Sequence, residues 1–134
     1  LAEAKLTPEL RNEALYFRAK AYLNQQADKK AMNDLQALAK DTRTLYGAEA
    51  KYLVALQLYK AHEYAAAEKE ILNFIEQSTP HAYWLARSFI LLSDVYVAMD
   101  KKLDARQYLL SLQQNYHADD DIEQMINERL EKLK

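Results

Sequence analysis

The sequence predicts an all-α protein built as three helical hairpins stacked in line and closed by a capping helix, about seven helices in all. Three observations carry this. One Gly and two Pro in 134 residues leave little material for tight turns or strand breaks. Apolar residues recur at steps of three and four along most of the chain. In three successive places a small side chain is followed twelve positions later by an alanine: Ala19 and Ala31, Ala55 and Ala67, Ser93 and Ala105.

The first hairpin opens at Thr7-Pro8-Glu9, which combines an N-cap hydroxyl, a proline at the first helical position and a carboxylate at the positive end of the helix dipole. Leu15, Ala19 and Tyr22 then share one face, and a second helix over Asp28 to Thr42 aligns Ala31, Leu35 and Leu38. The second hairpin repeats this wording with Val54, Ala55, Leu58, Ala67, Ile71 and Phe74. The third repeats it with Ser93, Tyr96, Ala105, Leu109 and Leu112.

The constant spacing has a physical reason, since antiparallel helices approach to about 8 Å only where small side chains meet at their crossing. An ordinary bundle of three amphipathic hairpins would show the same apolar periodicity without requiring equal spacing. The repeat boundaries fall near 8–44, 45–80 and 81–117. In the last element, 119–134, Ile122, Met125, Ile126, Leu130 and Leu133 form one stripe, while Glu123, Glu128, Glu131 and Lys132 face water as a solvating cap. Asp119, Asp120 and Asp121 at its start are expected to cap the helix rather than bind a cation.

Composition narrows the function. With 18 basic against 20 acidic residues the net charge is −2, which favours neither nucleic acid nor anionic lipid. No Cys is present, and no apolar run approaches the roughly 18 residues of a membrane span. His62, His81 and His117 fall at repeat junctions without the spacing of a zinc pair. Nucleophile elbows, Gly-rich phosphate loops and HExxH segments are lacking. No catalytic residue, metal or cofactor is therefore expected, and carboxylates such as Glu68 and Glu70 beside Lys69 are expected to be solvated surface pairs. The opening Leu1 to Leu6 reads as the tail of an earlier helix, so the expectation is the C-terminal piece of a longer protein.

The segment from Ala48 to Pro80 resembles a full tetratricopeptide repeat, with Ala55 in place of the usual glycine of its first helix; the other two copies are looser. The resemblance implies a right-handed α-solenoid whose first helices line a concave groove that binds a protein or peptide. The period is longer than usual, 36 residues from Ala31 to Ala67 and 38 from Ala67 to Ala105, which implies an extra turn opening each first helix, with Leu10, Tyr46 and Trp84 equivalent there. Repeats of this length are similar to those of BamD-like outer-membrane assembly lipoproteins and YbgF-like periplasmic proteins, which implies a bacterial periplasmic or outer-membrane setting.

On a helix advancing 100° per residue, the groove side of the first helices carries Tyr16, Lys20 and Leu23, then Tyr52, Leu56 and Tyr59, then Ile90, Asp94 and Val97. The expected ligand site centres on Tyr52, Leu56 and Tyr59, with Tyr16, Lys20, Arg87 and Asp94 around it. Two amphipathic tyrosines make good anchors for a peptide, although the same side chains can instead pack on neighbouring helices. Lys20 stands nearly alone as a cation, so no clamp for an acidic C-terminal tail is expected. The alternative function is structural: a cap on a longer superhelix, or self-association through a bare N-terminal face.

Overall fold

The computed structural model describes residues 7–134, so the reading of Leu1 to Leu6 lies outside the described residues. Among these residues there are seven α-helices and no strand: α1 (Pro8–Asn24), α2 (Asp28–Leu38), α3 (Leu45–Lys60), α4 (Tyr64–Glu76), α5 (Ala82–Ala98), α6 (Lys102–Asn115) and α7 (Ile122–Lys132). The first helix of each hairpin is the longer, at 17, 16 and 17 residues against 11, 13 and 14 for the second.

Helix α1 starts as expected, with the Thr7 hydroxyl accepting from the Leu10 amide at 3.2 Å. Helix α2 ends at Leu38, four residues before Thr42. The intervening segment turns because Asp41 and Thr44 organise the start of α3: the Thr44 hydroxyl donates to the Asp41 carbonyl at 2.9 Å and accepts from the Gly47 amide at 2.9 Å. The chain's one glycine is needed here, since a Cβ at Gly47 would collide with the Asp41 carbonyl oxygen.

Ala19 and Ala31, Ala55 and Ala67, and Ser93 and Ala105 are all buried, as the close-crossing argument requires. Ser93 fits because its hydroxyl donates to the Ile90 carbonyl of its own helix at 2.7 Å, so no polar group is left bare. The two partners of each crossing are joined through the same turn. Gln26, His62 and Asp100 have φ of 60°, 64° and 61°. The next amide in each case donates five residues back: Ala27 to Tyr22 at 2.8 Å, Glu63 to Leu58 at 2.9 Å, Lys101 to Tyr96 at 2.7 Å. This is the Schellman helix ending, achieved three times without the glycine that usually provides left-handed backbone.

Helices touch only helices one or two places along the chain: each neighbour in sequence, plus α1 with α3, α3 with α5 and α5 with α7. The helices α1, α3, α5 and α7 therefore form one row, while α2, α4 and α6 do not meet each other. One core runs from α1 to α6, around Leu35, Leu53, Ile71 and Leu92. A second, smaller core joins Ala86 and Ile90 of α5 and Leu109 and Leu112 of α6 to Ile122 and Ile126 of α7.

Three details differ from the sequence expectation. Leu10 is exposed, so the stripe it shares with Tyr46 and Trp84 is covered only in the second and third copies. Glu70 is drawn inward to the buried Lys51, at 3.0 Å, because a buried ammonium needs a partner; Asn73 accepts from the same group at 2.8 Å. At the start of α7 only Asp120 caps, accepting from the Ile122 amide at 3.0 Å, while Asp121 accepts from the Tyr83 hydroxyl of α5 at 2.9 Å.

Candidate functional site

The expected site residues all lie on the row of long helices, but most are engaged in joining one helix to the next. Between α1 and α3, the Tyr16 hydroxyl and the Lys20 ammonium both donate to Glu49 Oε2, each at 3.1 Å. Burial and the Glu49 carboxylate raise the Tyr16 pKa. For Lys20, burial opposes the charge but is outweighed by the hydrogen bond and charge of Glu49, so its pKa also rises. Tyr46 stacks on Tyr16 with ring centroids 4.4 Å apart.

Between α3 and α5, Arg87 donates to the Tyr52 hydroxyl at 3.1 Å and to the Tyr83 hydroxyl at 2.9 Å, and its guanidinium lies 5.1 Å from the Tyr52 ring centre. Burial works against that cation, yet the two hydroxyls more than compensate and its pKa is raised. Arg87 Nε is buried without a partner, while the guanidinium carbon also lies 5.8 and 6.0 Å from the Tyr83 and Trp84 ring centres, within cation–π range. Tyr52 is 6% exposed, and Ile90 is buried beneath α7. Between α5 and α7, Arg129 grips Asp94 with two hydrogen bonds, of 3.0 and 3.1 Å.

Thus Tyr16, Lys20, Tyr52, Arg87 and Asp94 are brought onto one side as three successive inter-helix clamps. Leu56 and Tyr59 stay partly open. Beside Tyr59 lies a cleft of about 510 Å³ between α3, α5, α7 and the start of α6, lined by Asp94, Val97, Lys102, Glu128, Arg129 and Lys132. Val97 is 39% exposed. Burial, then the Asp94 charge, raises the Tyr59 pKa, so this hydroxyl stays protonated as a donor through the neutral range.

Sequence reasoning missed Glu49, Tyr83 and Arg129. Glu49 was accessible to it, because it precedes Tyr52 and Leu56 by three and seven residues on the same helical face. Arg129 was not, since its role depends on how α7 lies across α5. The histidines serve the backbone: His62 occupies a left-handed turn, His81 Nε2 meets the Arg43 carbonyl at 2.9 Å, and His117 Nε2 meets the Gln114 carbonyl at 3.0 Å. Among the described residues no helix is long and apolar enough to cross a membrane, and no group of three or more acidic or histidine side chains converges on a metal-sized site. Compared with known proteins, the chain matches no family model, no curated protein and no solved structure.

Proposed function

We propose that the chain is a tetratricopeptide-type right-handed solenoid that binds a partner protein or peptide, without a reaction of its own, along the row of long helices. The observation that supports this reading is the contrast within that row. Glu49, Arg87 and Asp94 are paired with neighbouring helices, while Tyr59 and Val97 line the 510 Å³ cleft beside Glu128 and Lys132, and the half-buried Leu56 lies one turn before Tyr59 on α3. Pre-paired charges hold the helices at fixed separations, so a ligand meets a rigid surface and little ordering cost falls on the protein. A partner presenting an aliphatic or aromatic side chain to Tyr59 and Val97 would find apolar contact and a phenolic donor together.

The expected absence of an acidic-tail clamp is part of the proposal, because Lys20 is already neutralised by Glu49. Peptides selected from a random displayed library against the folded chain provide the test. Calorimetry should give binding that falls at least tenfold in the Leu56→Asp and Tyr59→Ala variants and is unchanged by Gln36→Ala on α2. Selected peptides that bind all of these variants equally would remove the groove as the site.

A further inference from the structure

The outward side of α1 carries a strip that its counterparts do not leave open. Registering the hairpins on Ala19, Ala55 and Ser93 aligns Ala14 and Phe17 of α1 with Ala50 and Leu53 of α3 and with Ser88 and Leu91 of α5. The α3 and α5 residues are buried, in helices that pack against α2 and α4 of the preceding hairpin. In α1 the same positions are exposed. With Leu10 and Ala21 they form an apolar line at steps of four, three and four, in which Leu10 is 50% and Phe17 59% exposed. A helix therefore fits this strip, because helices cover its two equivalents.

The order of sizes along the strip points to a particular helix. Leu10, Ala14, Phe17 and Ala21 read large, small, large, small. Reversed, they read small, large, small, large, so two antiparallel copies of α1 fit knob against gap: Leu10 opposite Ala21 of the partner subunit, and Phe17 opposite Ala14 of the partner subunit. The two-fold axis falls midway between positions 15 and 16. The far end of the molecule offers no comparable surface, since the outward residues of α7 are Glu123, Gln124, Asn127 and Glu131, all exposed. Head-to-tail stacking would set a bare apolar line on charge, whereas a two-fold dimer covers it and closes.

We propose that two copies of this chain associate through antiparallel pairing of α1 along Leu10, Ala14, Phe17 and Ala21. The pairing is independent of the groove, because at 100° per residue the strip lies about a third of a turn round α1 from Tyr16 and Lys20. A strip one helix wide is narrower than a permanent interface of roughly 1,200–2,000 Å², so the dimer is weak and concentration-dependent.

The chain has no cysteine, so introduced thiols are unambiguous. Oxidising an equimolar mixture of Leu10→Cys and Ala21→Cys chains should trap a cross-linked heterodimer. Either variant alone should remain uncrosslinked, because identical positions sit about 16 Å apart along antiparallel helices rising ~1.5 Å per residue. Sedimentation of the unmodified chain should show mass rising toward the dimer as its concentration is raised to ~0.5 mM. Phe17→Glu should return it to the monomer with an unchanged circular-dichroism spectrum. A strictly monomeric unmodified chain at that concentration, or cross-linking of Leu10→Cys with itself, would overturn the proposal.

Discussion

Within each hairpin the chain is held to one geometry, whereas between hairpins it is free to vary. The three turns place Gln26, His62 and Asp100 at nearly identical left-handed angles and repeat the same amide pairing. The junctions share no such template. The first is organised by Asp41, Thr44 and Gly47; the second passes through Ser78 and Pro80 and is tied to the first by Thr79 Oγ1 donating to the Thr42 carbonyl at 2.6 Å. The third relies on Tyr116, whose hydroxyl donates to Asp120 at 2.6 Å. Rigid spacing therefore belongs to the close crossing of small residues, which tolerates no insertion, while surface junctions absorb the change in period from 36 to 38 residues.

Four substitutions or conditions probe this division, in order of expected size. Enlarging a crossing should do most damage: Ala67→Leu forces two helices apart and should cost about 3 kcal/mol, at the upper end for overpacking, measured by urea unfolding. A loss below about 1 kcal/mol there would mean that the crossing is not close-packed. Gly47→Ala at the first junction should cost roughly 2 kcal/mol, since its Cβ would meet the Asp41 backbone carbonyl, and then the Thr44 hydroxyl that caps the helix. Retention of full stability would show that the junction relaxes.

His62→Gly in the middle turn acts in the opposite direction. Relief of left-handed strain, partly offset by a more flexible unfolded chain, should raise stability by about 0.5 kcal/mol, visible as a higher denaturant midpoint at unchanged slope. The smallest effect belongs to alkaline pH at the third junction. Burial, then the hydrogen bond to Asp120, pushes Tyr116 up to about 12. Its ordinary value is about 10. The folded form thus holds the proton more tightly, so this contribution is complete below pH about 10 and lost as pH rises toward 12. Tyr116→Phe should flatten that part of the stability profile, with phenolate absorbance marking the same range.

The hairpins were legible in the sequence because their cause is local: a small residue paired with an alanine twelve positions on, and apolar side chains at helical steps, are written along one stretch of chain. The end of α2 was not, since Ala39 to Thr42 contains no helix breaker and stops only because Thr44 starts the next helix. Angular arithmetic set Tyr52 and Ile90 on the groove side of their helices but could not weigh coverage by a neighbour. Tyr52 is closed over by Arg87 from α5, and Ile90 by α7. Leu56 and Tyr59 remain accessible because no described clamp reaches them. The left-handed turns escaped notice for a simpler reason: glycine normally marks them, and here glutamine, histidine and aspartate stand in its place.

The restriction of helix contacts to partners one or two places along the chain has a mechanical consequence. Tension applied between the termini does not load a single central knot of structure. It is expected to strip end elements first, α7 with its small core or the α1–α2 pair. Force spectroscopy is therefore expected to show several small extension steps rather than one large rupture.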